Sequence, residues 1–364
     1  MKRPLFSLAA LVTAVLGLPS VGIWIWGPPL EKYLEFPPTT QFIPHARFSW
    51  IAFFAYFTFI ALIVCPLFIR ALRAARGQRE RQGAGRAFPW WGWTAVAWGV
   101  IFWVLAWTRF EWFSWFQLHT FAPLWISFIV AVNAYCYRKT GSSLLTGQTR
   151  FFLILFPCSA AFWWVFEFLN RFVQNWHYTG AEYGPIRYFA LASVSFSTVL
   201  PAVLSVQQVV FSLRWLQRGF GSWKNFDLIQ SKWLGIAGII GGSTSLLFVG
   251  IFPDALFPML WVAPLIIVIS VQILIGQRHV FSGLARGDWR GPVSAGVAGV
   301  ICGLFWEMWN YWSLAKWHYT VPLVDRFHLF EMPILGYAGY LPFGIECAAV
   351  GVLIKELLVH PGAA

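Results

Sequence analysis

The chain has 364 residues, 59% of them hydrophobic and 11% charged, with a mean hydropathy of +0.64. That balance excludes an ordinary soluble domain, in which about half the residues are apolar and about a quarter charged. The net charge of +12 does not gather into one patch but follows the loops between apolar runs, so no nucleic-acid partner is predicted.

Apolar runs of about 17–25 residues match a bilayer core of roughly 30 Å. They predict an all-α, polytopic transmembrane bundle with ten spans: 5–26, 48–69, 89–107, 121–137, 151–170, 189–213, 234–251, 259–275, 292–312 and 334–354. The first span resembles an uncleaved signal-anchor. A Pro-rich outer loop follows at 27–47. With both termini on one side, 19 of the 26 Lys and Arg fall on that side and 7 on the other, a positive-inside pattern that places both termini in the cytoplasm. The basic loop 70–86 is then a cytoplasmic connector whose charge suits anionic lipid. The aromatic outer loop 108–123 reads as a worn third copy of the element described next, and the polar turn 138–150 separates a four-helix region, 1–150, from a six-helix region, 151–364. Cys65, Cys136, Cys158, Cys302 and Cys347 all fall in apolar spans without CxxC spacing and read as packing residues.

The second region carries a parallel repeat, 151–233 and 292–354. Each copy reads Glu-x-x-Asn, a short spacer, then Trp-His-Tyr-Thr. The residues are Glu167, Asn170, Trp176, His177 and Tyr178 in one copy and Glu307, Asn310, Trp317, His318 and Tyr319 in the other. Gly299, Gly303, Glu307 and Asn310 share one helical stripe, and small residues at that spacing mark a close helix–helix face. Glu307 is therefore expected to point into protein. In the fifth span Trp163 stands where the ninth has Gly303, so one side of the pocket is expected to be close-packed and the other roomier.

An ionisable side chain within a span is a functional-site hypothesis by default. Glu167, Glu307 and the deeper Glu346 qualify as candidate catalytic groups. A dry, oriented carboxylic acid can protonate an alkene or epoxide, and aromatic faces stabilise the cation that results. Trp163, Trp306, Trp309, Trp317 and Tyr319 supply such faces, with Glu331 at the boundary. Asn170 and Asn310 are expected to orient the acids, and His177 and His318 to cap the pocket. There is no HExxH, no ExxH helix motif, no Walker loop and no GxGxxG before a helix, and the four Asp residues are isolated. No metal and no cofactor are predicted.

The stretch Asn310, Trp317-His318-Tyr319, Ile334-Leu335-Gly336, Leu341-Pro342 and Glu346 resembles the membrane-embedded lycopene cyclase and carotenoid-modifying families. The resemblance implies a proton-handling role for Glu346, although two extra residues separate it from Pro342 and Cys347 stands where a paired acid often occurs. Through the stretches 119–125 and 330–343 the full chain looks more like a group of bacterial polytopic membrane proteins, a resemblance that implies no activity; a bacterial inner membrane is expected. Three functions fit these residues: an enzyme that cyclises or hydrates an isoprenoid or other long-chain lipid, a non-enzymatic subunit that binds lipid, pigment or a membrane-protein partner, and a proton-coupled transporter.

Overall fold

A computed structural model describes residues 2–37, 40–76, 86–180 and 182–356. Most of the basic stretch 70–86 assigned to anionic lipid lies outside them. Among the described residues the fold is all-helical, with two small antiparallel strand pairs and no closed sheet. The principal elements are α1 (Lys2–Trp26), α2 (Trp50–Arg76), α3 (Trp90–Trp107), α4 (Phe121–Thr140), α5 (Thr149–Val173), β1 (Trp176–Thr179), α6 (Pro185–Phe196), α7 (Val199–Phe211), α8 (Lys232–Phe248), α9 (Met259–Leu274), α10 (Arg290–Tyr311), β2 (Lys316–Tyr319) and α11 (Tyr340–Ile354).

Among the described residues six stretches are long and apolar enough to cross a membrane: α2, α3, α5, α6 with α7, α10, and 334–354 ending in α11. Three shorter apolar helices, over Val12–Trp26, Lys232–Phe248 and Met259–Leu274, lie beside them. The span expected over 189–213 is two helices that break at Ser197 and Thr198. Ser159 of α5 bridges the break: its hydroxyl donates to the Phe196 carbonyl (2.6 Å) and accepts from the Leu200 N–H (3.0 Å). A backbone interruption away from water needs such a partner, since unpaired amide groups there are costly.

One hydrophobic core joins the N-terminal and C-terminal regions, from Val15 and Leu124 through Leu169 and Leu200 to Phe343 and Ile354. α10 packs closely against α11. A Cβ on Gly299 would lie 2.1 Å from the Tyr340 carbonyl oxygen, and one on Gly344 would lie 2.1 Å from that of Ala295. Only glycine lets the two backbones come this close. The stripe read from the sequence does face protein.

α2 behaves differently. It meets the body mainly near its ends. Phe53 joins Phe257 and Val324 in a small cluster, and the Arg70 guanidinium reaches the carbonyls of Gly219 and Ser222. Between these points it carries exposed Phe54, Phe57, Phe59, Leu62 and Ile63.

Candidate functional site

The site grows from the end of α5. Gln174 adopts a left-handed backbone (φ 51°) just after that helix, and the chain turns at once into β1. Strand side chains alternate, so Trp176 and Tyr178 share one face and His177 takes the other. The shared face meets Glu167, which is 0% exposed. Its Oε1 accepts from the Tyr178 hydroxyl (2.6 Å), the Trp163 indole one turn back (2.8 Å) and the Trp176 indole (3.2 Å). Its Oε2 has no partner.

Glu307, also 0% exposed, repeats the arrangement with one exchange. Tyr319, the counterpart of Tyr178, donates its hydroxyl to Glu307 Oε1 at 2.8 Å. The Trp317 indole donates to the Tyr319 hydroxyl instead of the acid (2.9 Å). Position 303 has no side chain, and the Tyr340 ring fills the space: a Cβ on Gly303 would lie 2.3 Å from it. From there the Tyr340 hydroxyl donates to Glu307 Oε1 at 2.5 Å. Oε2 is again unpartnered. The space beside Gly303 is filled by a residue from another helix.

Asn170 and Asn310 do not take the role expected of them. Each clips the strand that follows its helix. Asn170 donates to the Trp176 carbonyl and accepts from the Asn175 N–H, both at 2.8 Å. Asn310 donates to the Trp317 carbonyl (2.7 Å) and accepts from the Trp317 N–H (2.9 Å). The acids are held by hydroxyls and indoles, and the Asn side chains position the strands that carry those groups. A glutamate and an asparagine three residues apart thus serve one strand from two sides.

β1 and β2 pair antiparallel, with Trp176 opposite Tyr319, His177 opposite His318 and Tyr178 opposite Trp317. The pairing is symmetric about the two histidines, whose rings stack at 5.6 Å and 27°. They lie on the face away from the acids and do not cap a pocket. Burial, and then the neighbouring His318, push the His177 imidazole below its ordinary pKa. Glu331 sits beside this pair, bonded to the Lys316 ammonium, with His318 Nδ1 at 3.3 Å from its Oε2. It belongs to an interfacial ion pair.

Beneath the strands is a cavity of about 920 Å³. Its walls are aromatic and aliphatic, with Trp163, Trp176, Trp306, Trp317, Tyr340 and Phe343 among them. Trp261 of α9, which no sequence motif singles out, also lines it and stacks on Trp176 at 5.3 Å. α2 supplies one side through Tyr56, Phe59, Ile60, Ile63 and Val64. No Asp, Glu or Arg is among the lining residues. Glu167 and Glu307 lie behind the wall: the lining residues Trp163, Trp176 and Tyr178 bond the first, and Tyr319 and Tyr340 the second. Glu346 is 3% exposed with an unpartnered Oε2, and it too lies outside the lining. Trp309 packs edge-on against Trp125 (5.1 Å) and faces away from the cavity. Among the described residues no group of three or more His, Cys, Asp or Glu is placed to hold a metal ion. In comparisons with protein families, curated proteins and solved structures, nothing matches the chain.

Proposed function

We propose that the chain is a ten-span protein of the bacterial inner membrane, with both termini cytoplasmic, whose parallel repeat (151–233 and 292–354) builds a binding cavity for an isoprenoid or other long-chain lipid. The observation that carries this reading is the cavity itself. About 920 Å³ of space is the volume range of a ligand site, and its walls offer rings and alkyl groups with no ionised carboxylate or guanidinium among them. α2 forms the side through which a lipid enters, since little but its two ends is anchored.

Acid-initiated cyclisation or hydration is the second reading. The Glu–Tyr hydrogen bonds favour it, because a hydroxyl relay links each carboxyl to the wall. The strength of the acid at the wall argues for binding instead. A phenol is a weaker acid than a glutamic acid by about six pKa units, so the group touching the ligand is a poor proton donor to an alkene.

The test is lipid extraction from the purified protein and from an Ala192→Trp variant, which narrows the cavity. Near-stoichiometric long-chain lipid is expected in the first and its loss in the second. Equal lipid content in both would sink the binding reading. A new product in cells expressing the chain, absent with Glu307→Gln, would establish the enzymatic one.

A further inference from the structure

Resting on that lipid-binding reading, we infer that the ligand carries an anionic head, a carboxylate or a phosphate, held at the rim of the cavity by the Arg187 guanidinium and the Tyr183 hydroxyl. Both residues lie where β1 gives way to α6. Tyr183 lines the cavity, four residues past the Thr179–Lys316 pair that ends the strand ladder. Its ring has a neighbour of each kind: the His119 imidazole stacks on it at 6.2 Å and 19°, and the Arg187 guanidinium lies over it at 4.8 Å. Its hydroxyl is buried without a partner. With the guanidinium carbon so near the ring centre, the hydroxyl at the ring's edge lies within about 8 Å of it, a gap that one carboxylate or phosphate spans by accepting from both.

Among the described residues nothing takes up the Arg187 charge. The side chain is exposed, no carboxylate pairs with it and no acceptor meets its N–H groups. Glu182 adjoins Tyr183 in sequence but is exposed and makes no ion pair. A ring face attracts a guanidinium yet leaves its N–H fork open to a bidentate acceptor. The basic residues of the lining are engaged or neutral: Lys316 is bonded to Glu331, and burial, then the Arg187 charge, push the His119 imidazole below its ordinary pKa. The cavity wall has no Asp, Glu or Arg. A long apolar tail can therefore lie inside while its charged head stays at the rim, where desolvation costs little. Asn175, whose Oδ1 is also unpartnered in the lining, precedes β1 at its other end and is not part of this site.

Binding of oleic acid, oleyl phosphate and oleyl alcohol, which share one tail, is measured on the purified full-length chain in phosphatidylcholine nanodiscs. At least one of the anions is expected to bind about ten-fold tighter than the alcohol, the worth of one charge-assisted hydrogen bond, and the tighter of the two names the head. Arg187→Gln is expected to bring that anion's affinity down to the alcohol's. The alcohol's own affinity should not change, which also shows that the variant is folded. Tyr183→Phe keeps the ring under the guanidinium and is expected to weaken the anion a few-fold. Alcohol bound as tightly as both anions, or an anion preference that survives Arg187→Gln, overturns this inference and leaves the lipid cavity standing. Failure of all three probes to bind overturns both.

Discussion

The ring of Tyr340 occupies the space that Gly303 leaves open, and from there its hydroxyl donates to Glu307 at 2.5 Å. In the other copy of the sequence element Trp163 stands at the position of Gly303 and donates its own indole N–H to Glu167 at 2.8 Å. Two unlike residues, one local and one from a neighbouring helix, deliver a donor to equivalent carboxyl oxygens.

This exchange makes Gly303 and Tyr340 an energetically coupled pair. Gly303→Ala puts a methyl group 2.3 Å from the ring and is expected to cost about 1–3 kcal/mol, the usual penalty of overpacking. Tyr340→Ala removes the obstacle, so the double variant should lose less than the sum of the two single losses. A double-mutant cycle of thermal unfolding in detergent checks this, and strict additivity would show that the ring and the glycine do not share the space.

At Glu307 the shape and the charge of the side chain can be separated. Glu307→Gln keeps an acceptor for Tyr319 and Tyr340 and is expected to change stability by less than about 1 kcal/mol. Glu307→Leu leaves both buried hydroxyls without an acceptor and should cost about 2–4 kcal/mol. Denaturation midpoints of the two variants decide it. If Gln proves as damaging as Leu, the negative charge itself stabilises the fold and the hydroxyl acceptor is secondary.

The stripe Gly299, Gly303, Glu307 and Asn310 was legible because helix periodicity fixes which residues share a face. Its burial follows from that alone. The two-residue alternation of Trp-His-Tyr was equally legible, and it puts His177 and His318 opposite the rings that hold the acids. Reading all three as one pocket ignored that period. Tyr340 had no local signature: it serves Glu307 from a separate helix, and only the missing side chain at position 303 hinted that something must fill the gap. Asn175, Trp261 and the α2 face were hidden for the same reason, since what they line is formed by elements distant in sequence. The break at Ser197 and Thr198 has a local signal in Pro201, which has no N–H to give the Ser197 carbonyl, but its stabilising partner, Ser159, is on another helix.

The stacked histidines predict acid sensitivity. His177 is held below its ordinary pKa of 6.5 by burial and by His318, so below that pH the unfolded chain binds this proton more readily than the folded one. Stability is then fully present above about pH 6.5 and falls as the pH drops toward the folded value. Glu331, bonded to Lys316, lies beside His318. Unfolding midpoints between pH 7.5 and pH 5, values bracketing about one unit or more on either side of an ordinary imidazole, should decline, and His177→Asn should flatten the slope. An unchanged slope in the variant would assign the acid sensitivity elsewhere.

α2 closes the cavity with little grip on the bundle, so its anchors should govern ligand exchange. Arg70 holds one end through the carbonyls of Gly219 and Ser222, and its guanidinium lies over Trp223 at 4.8 Å. Phe53 holds the other end against Phe257 and Val324. Loss of either anchor frees a helix whose middle is exposed on one side and borders the cavity on the other, and locally unstable elements open first. Arg70→Ala is therefore expected to speed lipid release several-fold with little effect on equilibrium affinity, because no ligand contact is removed. Phe53→Ala should do the same from the opposite end. Release of a fluorescent lipid into acceptor vesicles measures both rates. Unchanged release in both variants would mean that the ligand leaves along another wall, and the short helix Pro185–Phe196, which contributes Leu191, Ala192 and Ser195 to the lining, would be the next to examine.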